Sequence, residues 1–137
     1  NFVVVNGDTL VGEFLTKLKN CQSPALGVVR VNNTSRYGTV QLERDKVSTF
    51  EEKQLEPTEG WVSTGVYLLN TKDFQDWDGQ PFSLEDKILP RWAEHKHLSA
   101  LELETEFIDI GIQEDYKRFC EFMKHDSKNG EQNIFYG

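Results

Sequence analysis

Residues 2–5 read Phe-Val-Val-Val, an apolar run without polar alternation, and it breaks at once into Asn6-Gly7-Asp8. Such a β-branched run suits a strand buried on both faces, as in a sheet covered by helices. Gly7 lets the backbone leave that strand tightly, so Asp8 is presented just beyond its carboxyl end. Open α/β sheets bind ligands along that edge. Taken alone, Asn-Gly-Asp favours Asp8 as a cap on the next helix, and it is the context further along the chain that turns the reading toward a ligand. A chain that opens on Asn1, directly inside an apolar strand, is expected to be a piece of a longer polypeptide.

Downstream, Val11, Phe14, Leu15 and Leu18 fall on one face of a helix, which Asn20 and Ser23-Pro24 end. Ala25 to Val31 reads as a second strand. Strand, helix, strand in that order implies parallel pairing through a right-handed crossover. Thr39 to Glu43 alternates as a half-buried strand, Arg44-Asp45 turns, and Lys46 to Phe50 returns as its hairpin partner. The returning arm runs into Glu51-Glu52-Lys53, which by itself reads as a solvated strand end.

Trp61 to Asn70 is the next strand, and Gly65 inside it marks a bulge or a close backbone approach. A short helix is expected within residues 71–77, then a turn at Asp78-Gly79-Gln80-Pro81. Ser83 is a good N-cap, with Glu85 and Asp86 in a first turn whose dipole favours acids. Pro90 should kink or shorten that helix. Leu98 to Leu103 and Glu104 to Ile110 read as strands, the second ending in Phe107-Ile108-Asp109-Ile110-Gly111. Glu114-Asp115 open a last helix, and residues 125–137 read as a polar tail. The fold class is therefore α/β, a mixed and mostly parallel sheet flanked by helices, with one domain over residues 1–124.

Asp8 and Asp109 each stand at the end of an apolar strand, and neighbouring strands of one sheet can bring such ends together. Two carboxylates facing one crevice are the usual protein share of a magnesium site, with water and phosphates as the other ligands. Two separate helix caps remain the alternative on spacing alone. The net charge of -8 argues against a nucleic-acid partner, which needs a basic stripe. It does not exclude a phosphate substrate offset by metal or local cations. No apolar run approaches membrane-spanning length and no signal peptide is visible, so a cytoplasmic location is expected. Cys21 and Cys120 read as free thiols. His95-x-His97 has metal-like spacing but no third ligand in sight.

Taken in order, Val-Val-Asn-Gly-Asp (4–8), Arg-Tyr-Gly (36–38), Phe-Glu-Glu-Lys (50–53), Ser-Thr-Gly-Val-Tyr-Leu-Leu (63–69), Phe-Ser-Leu-Glu (82–85) and Phe-Ile-Asp-Ile-Gly (107–111), with Glu-Asp-Tyr (114–116), form a recognisable series. It resembles the sugar-phosphate nucleotidylyltransferases, nearest to the bacterial heptose-1-phosphate and mannose-1-phosphate guanylyltransferases. The resemblance runs from Phe2 to about Phe122, and implies a partial Rossmann-like nucleotide-diphospho-sugar transferase fold. The implied reaction makes a nucleotide-sugar and pyrophosphate from a sugar 1-phosphate and a nucleoside triphosphate, as in nucleotide-sugar and polysaccharide biosynthesis.

The same resemblance implies the site. Asp8 and Asp109 would hold the catalytic Mg²⁺, Lys53 would neutralise the sugar phosphate, and Glu52 would accept from sugar hydroxyls. Tyr37 and Gly38, with Ser63, Thr64 and Gly65, would line the sugar pocket. Glu85 resembles the acidic residue of the family's sugar-binding helix start, and reads equally as a dipole-favoured first-turn Glu.

Two departures stand out. Gln113 replaces the Pro that commonly follows the Asp-Ile-Gly-x motif, and the family's Gly-rich triphosphate loop is absent from this sequence. The chain thus resembles the half that holds sugar and metal, and by itself is not expected to be competent. The alternatives are a non-catalytic sugar-phosphate-binding or interaction domain, and a metal-dependent glycosyltransferase, which usually offers an Asp-x-Asp pair. A sheet edge left open invites homo-oligomers by dimerisation or strand exchange.

Overall fold

In a computed structural model of the chain, residues 1–11, 14–17, 21–51, 56–104, 107–111 and 113–129 are described. Strands β1 (Phe2–Val5), β2 (Thr9–Val11), β3 (Ala25–Val31), β4 (Thr39–Glu43), β5 (Lys46–Glu51), β6 (Gly60–Leu69), β7 (Ser99–Glu102) and β8 (Phe107–Asp109) accompany helices α1 (Phe14–Lys17), α2 (Leu89–Glu94) and α3 (Gln113–Asn129). A 3₁₀ turn at Thr71–Phe74 and a π turn at Leu84–Ile88 complete the inventory.

The long strand β6 is the axis. It pairs antiparallel with β1 on one side and with β3 on the other, and β3 continues into a parallel pairing with β7. The sheet runs β1-β6-β3-β7-β5-β4, and a further pairing of β4 with β6 curls it back on itself. A separate two-stranded sheet joins β2 to β8.

The β4–β5 hairpin lies where alternation and the Arg44-Asp45 turn place it. Leu26, Val28, Val40, Val47, Phe50, Tyr67 and Leu69 of the curled sheet pack with Leu89, Trp92 and Ala93 of α2 to form the main core. Burial of such side chains is the largest favourable term in holding the sheet closed. Pro90 cannot donate to the carbonyl four residues back. The turn before it widens, so that the Leu89 N–H reaches Leu84 O.

Several expectations are corrected. The sheet is mixed, but among the described pairs only β3–β7 is parallel, so it is not mostly parallel. β1 and β3 do point the same way, yet they do not pair, because β6 lies between them. β1 is not buried on both faces: it lies at the end of the strand order, with Phe2, Val3 and Val5 exposed. The helix expected to follow Asp8 begins later, since Thr9–Val11 is drawn into β2 by pairing with β8. Helix α3 continues through Asn129, into the segment expected to be a tail, and residues 130–137 lie outside the described residues. Among the described residues no helix is long and apolar enough to cross a membrane.

Candidate functional site

The β2–β8 pairing sets Thr9 opposite Asp109, and so brings the first acidic turn of the chain beside the last. The Ile110 N–H donates to Asp8 O at 2.8 Å, tying the two strand ends together. Both carboxylates then reach the same small space over Gly111. A Cβ placed on that glycine would sit 3.0 Å from Asp109 Oδ1 and 3.5 Å from Asp8 Oδ2. Glycine keeps that space open to a ligand. Its own N–H donates to Asp109 Oδ1 at 2.9 Å and fixes that carboxylate, while the Thr9 hydroxyl lies 3.4 Å from Asp8 Oδ1.

The pair opens into a cavity of about 250 Å³ whose wall also includes Tyr37, Gly38, Ser63, Thr64, Gly65 and Glu85. Every described residue assigned to the site from sequence thus borders one space. Glu52 and Lys53 lie outside the described residues. Asn6, Thr9, Arg36, Phe50 and Phe107 line the same cavity and were not singled out. Asn6 and Arg36 stand inside the motifs at 4–8 and 36–38, which is the signal that could have found them. Phe50 and Phe107 open the motifs at 50–53 and 107–111, but as strand apolars they carry no chemistry that would mark them.

Local geometry explains each wall. Gly65 has φ +69, a left-handed conformation that glycine tolerates best, and lies beside a register shift between β3 and β6. Its carbonyl accepts from the Asn6 N–H at 2.8 Å, and a Cβ there would stand 2.6 Å from Asn6 Nδ2. The bulge therefore seats the segment leading to Asp8. Gly38 O accepts from the Ser63 N–H at 2.9 Å, which docks the Arg-Tyr-Gly turn on β6. A Cβ at Gly38 would stand 3.1 Å from Phe50 Cζ. Thr64 is buried, and its hydroxyl donates to Gly27 O at 2.9 Å rather than serving the cavity.

Tyr37 stands edge-on to Phe107, with ring centroids 5.2 Å apart, and its hydroxyl lies 3.5 Å from Asp115 Oδ2. Asp115 is anchored in turn by Arg118 at 2.7 Å. Burial, then the nearby carboxylates of Asp115 and Asp109, push the Tyr37 phenol up to about 12, and its hydroxyl proton is turned to Asp115. Opposite, the buried Tyr67 donates to Glu85 Oε1 at 2.6 Å. Ser83 caps the turn that carries Glu85, accepting from the Asp86 N–H at 3.1 Å.

Two carboxylates with open space between them suit a hard divalent cation that keeps water or phosphate oxygens as its other ligands. Among the described residues no group of three or more His, Cys, Asp or Glu side chains is placed to hold a metal ion. His95 and His97 take no part: His95 Nδ1 lies 2.7 Å from Arg91 O, and His97 packs edge-on to Trp92.

Comparisons with known proteins show the family. Residues 1–126 match the family described as nucleotidyl transferase. The chain is 38% identical over 119 residues to D-glycero-alpha-D-manno-heptose 1-phosphate guanylyltransferase of Campylobacter jejuni, covering 85% of this chain and 53% of that protein. It is 31% identical over 134 residues to the enzyme of the same name from Aneurinibacillus thermoaerophilus, covering 91% and 56%. Among solved structures, HddC from Yersinia pseudotuberculosis superposes with a TM-score of 0.72 at 30% identity, over 89% of this chain and 55% of that one. The same protein has been crystallised with GMP-PN. The chain spans about half the length of the relatives it matches.

Proposed function

The chain belongs to the nucleotidyl transferase family, and on that premise we propose that residues 1–124 form the sugar-phosphate and metal side of a sugar-1-phosphate nucleotidylyltransferase. The observation that carries this reading is the cavity at the β2–β8 junction. There Asp8 and Asp109 share one opening with Tyr37 and Gly38 of the turn before β4, Ser63 and Gly65 of β6, and Glu85 of the π turn.

In the proposed reaction a phosphate oxygen of the sugar 1-phosphate attacks the α-phosphorus of a nucleoside triphosphate. A new P–O bond forms, the bond between the α-phosphorus and the bridging oxygen breaks, and pyrophosphate leaves. The chain needs no nucleophile of its own, because in-line positioning and charge neutralisation can carry such a step. Asp8 and Asp109 would hold a divalent cation, Mg²⁺ in this reading, which when bound neutralises phosphate charge. By resemblance Gly38 lets the substrate approach the backbone beside β6, and Tyr37, whose hydroxyl is turned to Asp115, lines the wall next to it. Glu85 is suited to accept from sugar hydroxyls. By resemblance, Glu52 adds a second such acceptor and Lys53 a compact cation for the sugar phosphate. The names of the relatives make GTP with a heptose 1-phosphate the first pair to test.

The test is pyrophosphate release by the full-length protein with Mg²⁺, sugar 1-phosphates and each triphosphate. Absence of pyrophosphate from these mixtures, with release of a nucleoside diphosphate from an added nucleotide-sugar, would point to glycosyl transfer and overturn the assignment. Asp8→Ala and Asp109→Ala should each lower turnover at least ~100-fold by removing a metal ligand. Near-normal turnover of either variant at saturating Mg²⁺ would remove the metal from this site.

A further inference from the structure

Glu85 borders the cavity, but its turn alone does not fix its carboxylate, because a glutamate on a first turn samples several rotamers. What fixes it lies behind the cavity wall. Tyr67 is 1% exposed, does not line the cavity, and makes a 2.6 Å bond to Glu85 Oε1. A phenol buried to that degree must be partnered, and a short O–H to carboxylate contact is among the stronger hydrogen bonds. Burial and then the Glu85 carboxylate push the Tyr67 phenol well above its ordinary value, so the proton stays on the phenol and the bond runs from it to Glu85.

We propose that Tyr67 is a positioning residue for the sugar 1-phosphate: its hydroxyl holds one Glu85 oxygen, leaving the other to receive a sugar hydroxyl. The inference rests on the reading of the site given above. Tyr67 itself touches no substrate. Removing its hydroxyl frees the Glu85 side chain to rotate, so ordering it on binding then costs affinity for the sugar. The triphosphate, which is not held by Glu85, is unaffected.

The experiment compares steady-state kinetics of the full-length protein with its Tyr67→Phe, Glu85→Ala and doubly substituted variants. Tyr67→Phe should raise KM for the sugar 1-phosphate about tenfold, as loss of a hydrogen bond to a charged group does. Turnover and the triphosphate KM should stay within about twofold of wild type. In the Glu85→Ala background the same change should add less than about twofold, because the two residues act as one unit. Replacing Tyr67 by 4-aminophenylalanine, which restores a donor, should bring the sugar KM back.

An unchanged sugar KM in Tyr67→Phe overturns the inference, as does an equal effect with and without Glu85. A Tyr67→Phe variant that fails to fold assigns the hydroxyl to the fold and overturns it as well. Wild-type protein that turns over no sugar 1-phosphate with any triphosphate overturns the functional reading beneath it, an outcome distinct from the other three.

Discussion

Two glycines show how residue-level geometry separates stability from site formation. Gly65 and Gly79 both have positive φ, +69 and +83. A Cβ at Gly79 meets nothing within 4 Å, whereas one at Gly65 collides with Asn6, reaching Nδ2 at 2.6 Å and Cβ at 3.0 Å. Gly79→Ala should therefore carry only the backbone strain, about 1–2 kcal/mol, and leave turnover near wild type. Gly65→Ala carries the same strain and also displaces Asn6, two residues before Asp8, so it should lose both stability and turnover. Thermal unfolding alongside pyrophosphate-release assays reads the two quantities separately. Equal turnover in both variants would mean that the Gly65–Asn6 contact does not seat Asp8.

At the scale of elements, what sequence reading captured was local and what it missed was relational. The β4–β5 hairpin could be placed because alternation and a two-residue turn are encoded within a few adjacent residues. The Ser83 cap and the disturbance at Pro90 were legible for the same reason. Residues 2–5 carry no such information about their neighbours: an apolar run looks the same at a sheet edge as at its centre. Val11 and Phe14 keep helical spacing, yet pairing with β8 outweighs that preference over Thr9–Val11. Site residues followed this division. Asp8, Asp109 and Gly65 are marked by strand-end and bulge signals, whereas the parts played by Asn6 and Tyr67 exist only once β6 and the π turn are in place. The cap offers a direct check. Ser83→Ala leaves the Asp86 N–H without its acceptor and should cost about 1 kcal/mol, seen as a Tm lower by a few degrees. An unchanged Tm would show that water replaces the cap at no cost.

For the whole molecule, the decisive feature is that the two carboxylates come from opposite ends of the described fold. They meet on a two-stranded sheet separate from the one that holds the main core. Like charges brought to one opening repel, so the β2–β8 junction is held by its ladder and by the Ile110 bond to Asp8 against an unfavourable electrostatic term. A divalent cation bound there reverses the sign of that term, and any ligand that binds only the folded state adds stability by mass action. Mg²⁺ at about a hundred times its dissociation constant should then add about 2.7 kcal/mol, visible as a higher Tm than in EDTA without either substrate present. Asp8→Asn should behave oppositely on both counts. It relieves the repulsion, so the metal-free protein should melt no lower than wild type, and it removes a ligand, so the Mg²⁺ response should largely vanish. Retention of the full Mg²⁺ response in Asp8→Asn would place the cation elsewhere on this acidic chain, and the pairing of Asp8 with Asp109 would then serve the fold alone.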